Sequence, residues 1–254
     1  FFAIAASTAG TMSLDSLRKL QAYIITYASG TLFLWFLVLP CLVASLTPLR
    51  YRDVLSVARD AMIMAFATGK LIIVLPLLIE ATGRLFQRSQ LSSHEDEAVP
   101  AVDVLYPVAY PFPHVGKLLG ILFVPFWFLG NTLAWNEYPA LLASGVFADF
   151  GGPILATPFL LDQMHLPHDM FQLFLLSGVI GERLGDALGA MHLVAFTLLT
   201  TCAFLGRLHL NLLAVGKYLA MVAFTELLML VAIRGTLRHT PRFVDDQQQI
   251  IPHL

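Results

Sequence analysis

The sequence predicts an all-α membrane protein, and three observations carry that prediction. Hydrophobic residues make up 57% of the 254 and charged residues only 13%, about half the charged share of a soluble domain, with a mean hydropathy of +0.75. A run at 20–49 contains no charged residue and exceeds the roughly 20 residues that cross a bilayer. Elsewhere, shorter apolar arms are broken by Gly and Pro. Arms of that length fit helices that enter the membrane and stop, with irregular backbone only where protein or a watery cavity surrounds it. The net charge of −2 points to no nucleic-acid partner. Cys41 and Cys202 lie inside apolar runs and read as buried small hydrophobes rather than a disulfide.

Taken in order, the chain opens on FFAIAASTAG, expected to be the tail of a helix cut off upstream. A full span is expected over 16–49. The segment 52–88 then carries two short apolar arms, 54–67 and 71–86, on either side of Gly69-Lys70. This is expected to be a re-entrant hairpin whose tip, with Thr68, faces a cavity. Residues 87–103 are polar and expected to form an aqueous loop. A broken helix follows over 104–136, interrupted by Pro107, Pro111 and Pro113 before Gly116-Lys117, because proline removes a ladder hydrogen bond and clashes with the preceding turn. A second hairpin is expected over 137–165, with arms at 138–148 and 153–164 meeting at Phe150-Gly151-Gly152-Pro153. A long helix over 168–206 is expected to be interrupted by the charged cluster GERLGD at 181–186. One more span is expected over 209–234, then a polar juxtamembrane linker over 235–254. A hairpin followed by a broken helix thus occurs twice, which points to an inverted-repeat transporter with its site near the midplane.

These segments resemble the C-terminal transport core of the dicarboxylate/amino acid:cation symporters, the glutamate-transporter fold. RDAMIMAFATGKLIIVLP is similar to the family's first hairpin, and LLASGVFADFGGPILATPFLLDQMHLP resembles its second. The colinear resemblance covers 1 to about 206. Two motifs depart from it. The first tip carries Gly69-Lys70-Leu71 where the family has a serine run. At PHVGK, Gly116 keeps the family's glycine, while the asparagine and aspartate that ligate sodium are missing.

The resemblance implies a secondary active symporter of a small organic anion, a dicarboxylate or acidic amino acid, with no cofactor, no metal site and no enzymatic chemistry. It implies a multi-pass protein of the bacterial inner membrane and a homotrimer. In one bacterial branch a helix like 209–234 leads to a periplasmic solute-binding domain, and TPRFVDDQQQIIPHL is then the linker to it. The alternative is a membrane sensor or binding component that keeps the fold and has lost transport.

The expected substrate-binding residues are Thr68, Gly69, Lys70, Gly116, Lys117, Gly151, Gly152, Pro153 and Arg183. A lysine at mid-bilayer costs roughly 2.5–3.5 kcal/mol on insertion scales, so one or both of Lys70 and Lys117 meet a carboxylate substrate or stand where a sodium ion sits in the family, or else Lys70 reaches water from an exposed tip or pairs with a carboxylate such as Asp149. Arg183 is either a bidentate clamp on a substrate carboxylate or the i,i+3 ion-pair partner of Asp186. Glu182 and Asp186 are the expected acceptors of the coupling ion, which stays open between H+ and Na+. His165, His168 and Asp169 fall in an aqueous turn broken by Pro167 and are not expected to hold a metal.

Overall fold

A computed structural model describes residues 14–89, 95–122, 136, 138–164 and 169–239. Among these residues the regular structure is entirely helical.

Helix α1 (Leu14–Phe33) continues through a π-helical turn (Leu34–Val38) into α2 (Leu39–Leu46). The widened turn has an identifiable cause. Pro40 has no N–H to give the Phe36 carbonyl, and its ring crowds the turn before it. The hydroxyl of Tyr51 donates to that carbonyl instead.

Helix α3 (Tyr51–Thr68) starts with the Asp53 carboxylate accepting from the Arg50 N–H at 3.3 Å. It ends at Gly69, whose φ of 63° and N–H bond to Ala65 O at 2.7 Å form a left-handed cap. A 3-10 turn (Leu71–Val74) leads into α4 (Leu75–Arg88), which packs back along α3.

Helix α5 covers Glu95–Ala109 and differs from the sequence reading at both ends. The polar stretch expected to be a loop up to 103 is already helical from Glu95, and Pro107 lies inside the helix. The acidic start suits the positive end of the helix dipole, and burial of Ala98, Val102 and Tyr106 fixes the segment against the core. Tyr106 and Thr82 share a hydrogen bond of 2.7 Å that ties α5 to α4. The chain breaks only at 110–114. It resumes as one helical turn, α6 (Val115–Leu118), and a 3-10 turn (Leu119–Leu122). The rest of the expected second half, to 135, lies outside the described residues.

Helices α7 (Tyr138–Ala148) and α8 (Pro153–Gln163) form a second helix-turn-helix pair around a 3-10 turn (Asp149–Gly151). The Gln163 amide donates to the Ser144 hydroxyl across its open end at 3.0 Å. Helix α9 (Asp169–Phe204), expected from sequence to break at the charged cluster, runs uninterrupted through it, because that cluster holds no proline to remove a ladder hydrogen bond. It packs most extensively on α3, then on α6, α1, α2 and α5. A core of Ala61, Ala65, Leu188, Met191 and Leu198 joins α3 to α9. Helix α10 (Leu212–His239) rests on α1 and α2. Its leading strand of chain is pinned by His209 N–H to Leu46 O at 3.0 Å and Asn211 N–H to Ser45 O at 3.4 Å.

The outside is apolar. Ile63, Met64, Phe66, Val104, Val108, Leu142, Phe147 and Phe159 all expose large side chains, as do Leu213, Leu219 and Phe224 on α10. Water-soluble surfaces rarely present apolar area on this scale, whereas lipid covers it. Among the described residues two helical stretches, Tyr23–Leu46 and Ile180–Phe204, are long and apolar enough to cross a membrane, and Leu212–Thr225 is a shorter apolar one.

Candidate functional site

The two helix breaks converge on one cavity of about 240 Å³. Gly69 and Lys70 reach it from the first tip, and Gly151 and Gly152 from the second. Gly116 and Lys117 come from α6, and Glu182 and Asp186 from α9. Eight of the eleven residues expected to act on substrate or ion therefore line the same space. Tyr23, Tyr27, Phe174 and Ser177 close its sides.

Close backbone approach builds this arrangement. Gly181, Gly185 and Gly189 recur every four residues along one face of α9, the spacing that lets membrane helices touch. A Cβ at Gly116 would stand 2.0 Å from Gly185 O, so α6 and α9 meet backbone to backbone. The Tyr27 hydroxyl serves both segments, lying 3.0 Å from Gly116 O and 3.0 Å from Gly181 O. His114 fills the groove over Gly189 and its Nδ1 accepts from the Lys117 N–H at 3.3 Å, capping the turn that presents the Lys117 side chain.

The first tip is held from both sides. Thr68 turns away from the cavity, its hydroxyl donating to Met64 O at 2.8 Å and accepting from Lys70 N–H at 3.3 Å. Arg183 also lies outside the cavity lining. Its Nη1 donates to Ala67 O at 2.8 Å and Phe66 O at 3.3 Å, a cation on the carbonyl end of α3. No ion pair links Arg183 to Asp186 among the described residues, because the guanidinium is engaged by α3. Lys70 and Lys117 are the cations whose field reaches Asp186.

The second tip has a different chemistry. Gly152, at φ 84°, hands the chain to Pro153 at the first position of α8, where proline's missing N–H costs nothing. Phe150 meets Phe112 edge to face at 5.9 Å between centroids, joining this tip to the break before α6. Asp149 is 2% exposed, and neither carboxylate oxygen has a hydrogen-bond partner among the described residues. The contact with Lys70 considered from sequence does not form, and Lys117 is the cation whose field reaches Asp149.

Sequence reasoning missed Tyr23, Tyr27, His114 and Ser177. The four-residue glycine spacing on α9 was the available signal, since it marks where neighbouring elements must press against that helix. Among the described residues no cluster of His, Cys, Asp and Glu is arranged to hold a metal. His165 and His168 lie outside the described residues.

Among the described residues, helices with an apolar exterior break around a cavity lined by charged side chains. Residues 1–125 match the model of the sodium:dicarboxylate symporter family. No curated protein and no solved structure matches the chain. The family match covers α1 to α6. The second tip and α9 lie beyond it.

Proposed function

We propose that the protein is a secondary active transporter of a small organic anion, a dicarboxylate or an acidic amino acid, carried together with a cation. The observation that supports this reading is the convergence of Lys70 and Lys117 on a cavity framed by two helix breaks. The start of α8 at Gly152-Pro153 adds the positive end of a helix dipole to the same wall. An ammonium in a membrane core is expensive, and a carboxylated solute supplies countercharge beside that of Glu182 and Asp186, which line the same cavity. Glu182 and Asp186 give the cavity its acceptors for a coupling cation, H+ or Na+. Both tips are re-entrant in this reading, and one of them is the gate. The second meets α9 and the 3-10 turn after α6 through few contacts, whereas α3 lies along α9, so the second is the one expected to open.

Proteoliposome uptake of labelled succinate, aspartate and glutamate, under separately imposed proton and sodium gradients, tests the proposal. Concentrative uptake of at least one anion under at least one gradient is expected, and Lys70→Ala is expected to abolish it. Uptake of none of them under either gradient would reject the reading.

A further inference from the structure

The first helix pair carries charge at both ends. Its tip opens into the cavity already described, whereas its open end holds a second cavity of about 390 Å³ between α3 and α4. Asp53 and Asp60 line this cleft from α3 and Arg84 and Arg88 from α4, with Leu77 and Leu85 in its wall. Along α3 Asp53 stands about 24 Å from Gly69, and Asp60 about 14 Å, at the helical rise per residue. The two cavities are therefore separate. Arg84 pairs with Glu80 at 3.2 Å and Asp60 with Arg59 at 2.9 Å, but all four side chains are half exposed or more, and such pairs give way readily to other partners. Arg88 and Asp53 make no ion pair among the described residues; the Asp53 carboxylate accepts from the Arg50 N–H instead.

With the first tip at mid-membrane, Asp60 falls at the edge of a hydrocarbon core roughly 30 Å thick, and Asp53 and Arg88 stand among the headgroups. Three and four residues on from Asp60, towards the tip, Ile63 and Met64 continue the same face of α3 and are exposed. Ile73 is exposed in the turn before α4. The cleft is thus charged at its outer end and apolar towards the bilayer. Two arginines against two aspartates give it no net charge, so a plain anion is drawn by the guanidiniums and repelled by the carboxylates.

We propose that this cleft binds a zwitterionic aminophospholipid of the phosphatidylethanolamine class. Arg84 and Arg88 hold the phosphate, which suits the planar guanidinium fork. Asp53 and Asp60 accept from the ammonium, and the acyl chains run along Ile63 and Met64. A choline headgroup has no N–H to give the carboxylates, and a glycerol headgroup has no cation. The depth of the cleft rests on the re-entrant reading of the first tip; its charges and shape do not.

Native mass spectrometry of the protein from nanodiscs holding equal parts of phosphatidylethanolamine, phosphatidylcholine and phosphatidylglycerol with the same chains tests the proposal. The wild type is expected to retain phosphatidylethanolamine roughly tenfold over phosphatidylcholine, the worth of one hydrogen bond to a charged group. Asp60→Asn, which leaves the Asp53 cap in place, is expected to lose that preference and still retain phosphatidylglycerol. The double variant Arg84→Gln, Arg88→Gln is expected to lose retention of all three lipids, with lysine at both positions restoring part of it. Excess soluble glycerophosphoethanolamine is expected not to displace the lipid. Equal retention of the three lipids by the wild type overturns the proposal, as does an unchanged preference in Asp60→Asn. Displacement by the soluble ester would assign the cleft to a soluble phosphate compound and overturn the lipid assignment. Preferential retention without uptake of any anion would reject the transport reading and leave this site standing, whereas uptake without preferential retention would reject this site alone.

Discussion

The two helix-turn-helix pairs meet at one cavity but are secured in opposite ways. The first tip is tied down: Gly69 caps α3, the Thr68 hydroxyl closes the turn, and Arg183 holds the last carbonyls of α3 from α9. The second has an edge-to-face ring contact and a buried carboxylate without a partner among the described residues. Fewer satisfied contacts mean a lower cost of local opening. The difference teaches that similar helix breaks in one chain serve different ends, one as a fixed wall of the site and the other as a part free to respond to what the site holds.

The largest expected effect is on the contact that both pairs depend on. In Gly116→Ala the new methyl has backbone, not side chain, in its way at 2.0 Å, and a loss of about 3 kcal/mol or more is expected, at or beyond the upper end of ordinary overpacking. Fluorescence-detected size exclusion after heating measures it; wild-type behaviour would show that α6 does not sit on α9 as described.

Removing the tie on the first tip comes next. Arg183→Ala is expected to cost roughly 1.5–3 kcal/mol, the range for hydrogen bonds to a charged group, read as a lowered thermal midpoint. Anion affinity in protein that remains folded is expected to change by less than the effect of Lys117→Ala. An affinity loss as large as that of Lys117→Ala, with stability intact, would return Arg183 to the role of substrate clamp.

Gly69→Ala is smaller, about 1–2 kcal/mol for placing an L-residue in the left-handed region, because the space beside Gly69 is open apart from an ordinary 3.6 Å contact to Arg183 Cγ. The smallest is Tyr27→Phe, which removes one hydroxyl from Gly116 O and Gly181 O for about 1 kcal/mol. Guanidinium-free thermal melts of both variants, run alongside wild type, check the order.

The helix breaks were legible because Gly-Lys and Gly-Gly-Pro interrupt apolar arms too short to cross alone, and glycine and proline act locally through φ and the missing N–H. The start of α5 was not, because its acidic first turn reads as a solvated loop until Ala98, Val102 and Tyr106 are seen to be buried. Pro107 misled for a related reason: tertiary packing carries the helix two residues past it. At the site, single-residue chemistry drew attention to Lys70, Lys117, Glu182 and Asp186. The orientation of Arg183 depends on which carbonyls end up beside it, and spacing along one helix cannot supply that. Asp149 was visible only as a possible partner for Lys70, since its isolation is a property of packing.

The central claim, that the cavity between the tips is where the transported anion binds, is tested most directly at Ser177, which lines that cavity. With Cys41 and Cys202 replaced by alanine, a Ser177→Cys variant in proteoliposomes offers one labelling site, which a small thiol reagent reaches only through the cavity. The account predicts that labelling proceeds and that an anion the protein transports slows it several-fold, while choline does not. A transported anion that leaves the labelling rate unchanged would contradict it.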